Sequence, residues 1–324
     1  LATPFSYSLA AEYNMDEFQE QLDKQRAVIN DVLGVTPSAV WNTELLYSDE
    51  MAYNLYKMGY KVMLAEGAKH VMSWKSPNYL YTSAGAPKMK MLVRNAGLSD
   101  ELSFHFSDSN WYNYPMDAEK YANQLHSLPE GEDLINIWVG ADTFGIRQQA
   151  GTGIFEFLKA LPYYVLEREM GFCTPTEAAK KMTASDVISA PYPLTWAGEA
   201  KDLSMYNGND LQQEALNKLY AVAERVHLCR DKGLKTNWLR LQDVNNFHYM
   251  NHIDQGATYY ESAYDAFINY MNILSDFLQS VEEQYPTTIG NEELNGLLKT
   301  INSQEKEIQQ LKEELKKKKA KQAK

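Results

Sequence analysis

The sequence predicts an α/β fold, because strand-like and helix-like segments alternate up to about Gly171 and only helical segments follow. Such alternation indicates a parallel sheet with crossover helices, either an open doubly wound sheet or a barrel, and we favour the barrel. A chain of 324 residues with 44% hydrophobic content can also bury a large core. We therefore predict part of a barrel over residues 1–172, a helical domain over 173–286 and a helical, lysine-rich tail over 287–324.

The spacing of apolar residues distinguishes the elements of the first half. In residues 14–33 they recur three or four positions apart, which predicts a helix that ends at Gly34. Alternation in residues 1–9 predicts a strand. The same criteria predict strands over residues 39–41, 60–64 and 134–139, helices over 48–59 and 115–128, and short strands over 79–82 and 90–93.

The second half opens with the sequence TPTE, residues 174–177, which predicts a capping box with proline at the first helical position. Long apolar periodicities then predict helices over residues 209–231, 234–249 and 260–284. No strand is expected in this half.

The tail carries a rough apolar stripe and ends in a block of lysines. Its members are Leu294, Leu298, Ile301, Ile308, Leu311 and Leu315. Because Glu305 and Lys312 stand among them, we expect only weak association through the tail. We expect the helix to dock on the rest of its own chain instead, through Leu294, Leu297, Leu298 and Ile301.

Composition excludes several classes of partner. A formal net charge of -12 argues against nucleic acid and anionic membrane surfaces, which require a basic protein face. Cys173 and Cys229 are far apart and lack metal-like spacing, which indicates free thiols in a reducing compartment. Since no apolar run is long enough to span a membrane and no signal peptide opens the chain, we expect a cytoplasmic protein. Because the cysteines lack metal-like spacing, we expect no metal site. The oligomeric state is not determined by these patterns.

Two acids stand where predicted strands end. Glu44 follows the strand at 39–41 and Asp142 follows the strand at 134–139. Catalytic groups gather at the carboxyl ends of barrel strands, and retaining glycoside hydrolysis uses two carboxyl groups about 5–5.5 Å apart. Position alone leaves two interpretations open: a catalytic pair, or loop acids that cap helices or pair with Arg147.

Five separated blocks resemble the α-amylases of glycoside hydrolase family 57, in the family's order and with plausible spacing. They are NTELLYSDEMA, YKVMLAEGAKHVM, ADTFG followed by GIFEFLKALP, LTWAGEAKDLSMYNGN and SAYDAFINYMNILSDF. The resemblance covers residues 1 to about 280. It implies an incomplete (β/α)7 barrel, a following helical domain, and retaining chemistry on α-1,4-glucans with no obligatory cofactor.

The resemblance implies a mixed set of site residues. Glu44 matches the family's nucleophile. In the alignment fixed by the shared TFG, the aspartate that serves as general acid falls on Gly140, Asp142 falls on a supporting glutamate, and Arg147 falls near a histidine. The resemblance therefore implies that the general acid is missing.

Other positions also depart from the family pattern. The family has an acid at the position of Thr3, a histidine at Tyr7, an aspartate at Gly198 and an arginine at Trp41. The family's His-Gln-Pro block would lie before Leu1. Candidate substrate-binding residues are Trp41, Trp111, Trp196 and Arg147, and core packing is about as good an explanation for each of Trp111 and Trp196.

The sequence thus predicts a degenerate, α-amylase-like protein of α-glucan metabolism whose partner is α-glucan or maltodextrin and whose catalysis is lost or weak. One alternative is an active α-glucan hydrolase or 4-α-glucanotransferase that uses Glu44 and Asp142, since side chains two apart on a strand point to the same side. Another is a non-catalytic interaction protein that uses the C-terminal helix.

Overall fold

The structure is a computed structural model that describes residues 1–253, 259–284, 296–301, 303–308, 310–312 and 315. It contains two compact units. The first combines Leu1–Pro4 with Gln19–Ser204, and the second combines Phe5–Phe18 with Met205–Lys324. The division into domains at residues 172 and 286 stays a prediction, while the contacts group residues 173–204 with the sheet.

A five-stranded sheet forms the first unit. Its strands are β1 (Ala39–Val40), β2 (Val62–Glu66), β3 (Tyr81–Ser83), β4 (Lys90–Arg94) and β5 (Asp186–Ile188), in the order β1-β2-β4-β3-β5. β1, β2 and β4 are parallel neighbours, whereas β3 pairs antiparallel with β4 and parallel with β5. Ala2 adds a parallel bridge to Val40 at the β1 edge. The carboxyl ends of β1, β2 and β4 therefore share one edge.

The helices agree with the periodicities in position and often in their caps. They are α1 (Ala10–Tyr13), α2 (Met15–Leu33), α3 (Asp49–Lys57), α4 (Lys69–Met72), α5 (Ala96–Asp100), α6 (Ala118–His126), α7 (Ile154–Glu167), α8 (Pro175–Lys181), α9 (Ser204–Asn207), α10 (Asp210–Tyr220), α11 (Ala223–Leu228), α12 (Lys232–Leu241), α13 (Val244–His248) and α14 (Ala263–Gln284). The capping box at Thr174 and Glu177 is confirmed, and Ser48 caps α3 by accepting from the Met51 amide.

Several expected elements differ in the structure. The segment 134–139 is not a strand, because isolated hydrogen bonds replace a ladder: Asn95 N donates to Asn136 O at 2.8 Å and Trp138 N donates to Ser99 Oγ at 3.1 Å. Residues 1–9 form only isolated bridges.

Two corrections concern the second half of the chain. The expectation of helices alone after Gly171 is wrong, since β5 lies there and pairs with β3. The long helix expected over 209–231 is two helices, α10 and α11. The one expected over 234–249 is also two, α12 and α13.

Each unit has its own apolar core. In the first unit all five residues of β2 are buried, and Leu64 packs in one cluster with Leu45 and Leu92. In the second unit α14 buries residues three or four positions apart, so that one stripe faces its neighbours. Trp238 of α12 stacks there on Phe277, with ring centroids 6.0 Å apart.

The described part of the tail is helical. Leu297 and Ile301 are exposed and Leu298 is half-buried, so the expected docking through Leu297 and Ile301 is wrong. Leu294 lies outside the described residues. Among the described helices, none is both long and apolar enough to cross a membrane. Of the two free cysteines, Cys173 is exposed and Cys229 is buried.

Candidate active site

Glu44 lies in a tight turn directly beyond β1. Thr43–Leu45 form a 3-10 turn in which Glu44 has φ 55° and Leu45 has φ 54°. Residues other than glycine in this left-handed region are strained by about 1–3 kcal/mol each and persist only where the surroundings impose the conformation. Two consecutive strained residues indicate a turn that is held in place by its contacts.

Asn42 supplies one set of those contacts. Its side chain is buried; its Oδ1 accepts from the Thr43 amide at 2.9 Å and its Nδ2 donates to the Leu46 carbonyl at 3.0 Å. A single amide side chain therefore closes the turn from both ends. Without the Asn42 side chain, the Thr43 amide and the Leu46 carbonyl would each lose a buried hydrogen-bond partner. Asn42 is therefore a structural support for Glu44.

Trp196 contacts Glu44 at two points. The Trp196 amide donates to the Glu44 carbonyl at 3.0 Å, and its indole Nε1 donates to the carboxylate atom Oε2. Glu44 is only 8% exposed. Leu194 and Tyr47 exchange backbone hydrogen bonds of 3.0 and 2.9 Å, which fixes the segment that carries Trp196 beside the turn. The carboxylate is thus oriented by a donor on a well-anchored segment.

A buried charge network lies at the same sheet edge. Glu66 and Arg94 are register partners at the ends of β2 and β4, with Arg94 Nη1 3.3 Å from Glu66 Oε2. Arg94 also binds Asp100 at 2.5 Å, donates from Nε to the Trp138 carbonyl at 2.9 Å, and lies 5.9 Å from the Trp196 ring. Burial raises the pKa of the Glu66 carboxyl, and the neighbouring Arg94 opposes that rise. Arg94 therefore links the segment before Gly140 to the sheet and to Trp196.

Tryptophans cover the apolar side of this edge. Trp41 and Trp138 pack at a tilt of 60° with ring centroids 5.5 Å apart. Both, together with Trp196, are partly buried against the cluster that contains Leu45 and Leu64. An indole that keeps part of its face exposed can stack on a sugar ring, so this side is suited to a carbohydrate.

Asp142 lies in a more open turn. Ala141–Thr143 form a 3-10 turn, and the Asp142 carbonyl accepts from the Arg147 amide at 2.9 Å. The Asp142 Oδ2 atom pairs with Arg147 Nε at 2.5 Å, and the two side chains are 42% and 43% exposed. Arg147 also lies 5.1 Å over the Phe104 ring. The sequence-based pairing of Asp142 with Arg147 is therefore present in the structure.

The space beside Gly140 is filled by Asp142. A Cβ atom placed on Gly140 would overlap the Oδ1 atom of Asp142. The backbone of Gly140, with φ -63° and ψ 144°, would accept any residue. The second carboxyl group thus occupies the volume next to the position at which the resemblance places the general acid.

Trp111 has a different environment from the other candidate tryptophans. Its ring stacks on His105 with centroids 3.7 Å apart and packs against Tyr112 at 4.8 Å. It is half-buried in this aromatic group. The structure therefore brings Glu44, Trp41 and Trp196 to one sheet edge, pairs Asp142 with Arg147 in the following turn, and gives Trp111 a separate stacking role.

Sequence reasoning missed Asn42, Glu66, Arg94, Asp100 and Trp138. A signal existed for Glu66 and Arg94, because both are charged residues at the end of otherwise apolar strands, as Glu44 follows β1. Asp100 and Trp138 both contact Arg94, from 6 and 44 residues away, and Trp138 also packs against Trp41. No local pattern points to those contacts.

Comparisons with known proteins identify the family and the fold. The family model described as "Glycosyl hydrolase family 57" matches residues 1–191. A "Putative alpha-amylase" of Methanocaldococcus jannaschii is 31% identical over 302 residues, which cover 87% of this chain and 64% of that protein. The chain therefore spans a little under two thirds of that relative's length.

Solved structures share the fold at low identity. A GH57 branching enzyme from Thermococcus kodakaraensis, solved with glucose, matches with a TM-score of 0.64 at 15% identity and covers 87% of this chain and 69% of its own. A GH57-type branching enzyme from Pyrococcus horikoshii matches with a TM-score of 0.63 at 14% identity, covering 92% and 67%. The predicted α/β class with an incomplete barrel and a C-terminal helical region is confirmed.

Proposed function

Because this chain belongs to glycosyl hydrolase family 57, we propose that it binds α-1,4-glucan at the sheet edge around Glu44 and hydrolyses it weakly or not at all. Glu44 is proposed as the nucleophile, with Trp41 and Trp196 as sugar-contacting residues. We extend the proposal to a cytoplasmic location, which the free cysteines support.

The observation that carries the proposal is the absence of a side chain at Gly140. Cleavage of a glycosidic bond between sugars needs a proton on the leaving oxygen, and a positioned acid typically contributes about 10²–10⁴ in rate. Glu44, by contrast, keeps a buried carboxylate with an oriented donor at Oε2. These observations support binding groups and a nucleophile at this edge beside a deficient proton donor.

A second candidate function has its own supporting observation. The Oδ1 atom of Asp142 lies in the space that a side chain at residue 140 would enter. Asp142 could therefore deliver the proton in place of the missing acid, which gives an active hydrolase or 4-α-glucanotransferase that uses Glu44 and Asp142. Against this candidate, the Oδ2 atom is engaged by Arg147 and the turn is open to solvent.

Two substrates that differ in their leaving groups separate these functions. Maltoheptaose needs a general acid, whereas fluoride leaves α-maltosyl fluoride without a proton. We expect the chain to turn over maltoheptaose about 10²–10⁴-fold more slowly than a family member with aspartate at the position of Gly140. On the fluoride we expect the two proteins to be much closer in rate. Calorimetric titration with maltoheptaose should detect binding in the same preparation.

Asp142→Asn tests the second candidate, with Asp133→Asn at another exposed acid as the matched control. Maltoheptaose turnover within tenfold of the intact member, lost in Asp142→Asn and kept in Asp133→Asn, would overturn the proposal in favour of the active enzyme. Absence of both glucan binding and fluoride turnover would reject both functions.

A further inference from the structure

The tail helix, defined as residues 296–301, 303–308, 310–312 and 315, carries an exposed apolar seam. Its apolar members, Leu297, Ile301, Ile308, Leu311 and Leu315, are between 43% and 62% exposed. With Gln304 they recur at intervals of four and three residues without a break, which is the heptad spacing of a coiled coil. Heptad spacing of this kind is typical of a helix that pairs with another helix.

The helix contacts its own unit with a different face. Lys299 Nζ pairs with Glu224 Oε1 of α11 at 2.8 Å. In the heptad in which Ile301 is position a, Lys299 is position f, on the side opposite to the seam. The seam is therefore directed away from the surface that holds Lys299, and α11 does not cover it.

The residues along the seam specify its partner. Ile301 and Ile308 occupy a positions and Leu297 and Leu311 occupy d positions, a distribution that favours parallel two-stranded coils. The flanking charges agree, because Glu307 at position g would face Lys312 at position e of a parallel second copy. Glu305 and Lys312 thus lie beside the seam rather than within it, contrary to the expectation from sequence that they interrupt it.

From these observations we infer that the tail helix forms a parallel, two-stranded coiled coil with a second copy of this chain. Three heptads are short, and the polar Gln304 occupies one d position, so the dimer is weak. We expect a Kd of about 1–100 µM. The inference uses no residue of the proposed active site and does not depend on the proposed function.

Sedimentation velocity of the whole chain, from about 1 to about 200 µM, tests the inference in the range set by the expected Kd. The weight-average mass should rise toward twice the monomer mass. Ile308→Asp should abolish the rise, whereas Gln310→Asp, which puts the same charge at the outer position c, should leave it. Circular dichroism should be equal for the two variants, because both positions are exposed. A chain that stays monomeric throughout, or a dimer that survives Ile308→Asp, overturns the inference.

Charge and orientation provide two sharper tests. Glu307→Lys and Lys312→Glu should each weaken self-association at least fivefold, and an equimolar mixture should restore it. Leu297→Cys in a Cys173→Ser background should cross-link on oxidation, because parallel chains bring residue 297 next to its copy. An antiparallel pair would separate these residues by several helical turns, so no cross-link in a dimer would exclude the parallel arrangement.

Discussion

Glu44 and Asp142 each lie in a tight turn but differ in how firmly the fold holds their side chains. Glu44 is buried, strained in its backbone, closed by Asn42 and bound at two points by Trp196. Asp142 is about two fifths exposed and its side chain is held by one ion pair, to Arg147. Both turns follow segments at one sheet edge and both have buried contacts, such as the one from Gln148 Nε2 to the Ser103 carbonyl beside Asp142, yet only the first turn buries its acidic side chain.

This difference matches the chemistry proposed for the two positions. A nucleophile must be held in one geometry, and the buried donors around Glu44 provide that restraint. Exposed ion pairs contribute at most about 1 kcal/mol, so the side chain of Asp142 can leave Arg147 at little cost. Arg94 connects the two regions, because it binds the Trp138 carbonyl and lies near the Trp196 ring.

The largest expected effect is that of Glu44→Gln on α-maltosyl fluoride. Removing the proposed nucleophile should lower turnover at least about a thousandfold, since the variant keeps the shape of the side chain but cannot form the glycosyl ester. Glu130→Gln, at an exposed acid, is the control. Initial rates of fluoride release measure both, and an unchanged rate in Glu44→Gln would remove Glu44 from the site.

Trp196→Phe should have the next largest effect. Phenylalanine keeps an aromatic face but cannot donate to the Glu44 carboxylate, and a hydrogen bond to a charged group contributes about 1.5–3 kcal/mol. We expect turnover of the fluoride to fall about tenfold to a hundredfold. Trp74→Phe, at a tryptophan that is 85% exposed, controls for the change of ring. Equal rates in the two variants would mean that the indole donor has no role.

Asn42→Ala and Arg147→Ala compare the two turns directly in stability. Asn42→Ala removes two buried hydrogen bonds and should lower the free energy of unfolding by about 2–3 kcal/mol. Arg147→Ala breaks an exposed ion pair and should change it by less than about 0.5 kcal/mol. Urea unfolding followed by fluorescence measures both. Similar values for the two variants would contradict the contrast between the turns.

Gly140→Asp should have the smallest effect, a slight gain in maltoheptaose turnover. The new side chain must displace the Asp142 carboxylate, and catalytic groups that act as a unit do not recover one at a time. We expect maltoheptaose turnover to rise less than tenfold and the melting temperature to stay within about 2 °C, because the backbone accepts aspartate there. A rise of a hundredfold or more would show that proton donation alone limits the reaction.

The sequence by itself determined the features that depend on neighbours along the chain. Two helices, over Met15–Leu33 and Ala263–Gln284, and the capping box at Thr174 are local features, because helix spacing and capping act over three or four residues. The order of the family blocks is also read directly from the sequence. The resemblance to the family assigned the roles of Glu44 and Gly140 without a structure, and those roles stay predictions.

Tertiary structure decided what those positions contact. Trp196 reaches Glu44 from 152 residues away. The Trp138 carbonyl accepts from Arg94, within residues 134–139, which form no ladder. In the tail, the heptad spacing was readable in the sequence, but only the structure shows that the seam residues are exposed and that Lys299, on the opposite face, pairs with Glu224. Local spacing does not specify which distant residues contact each other. Long-range packing determines these contacts, and they form the environment of each site residue.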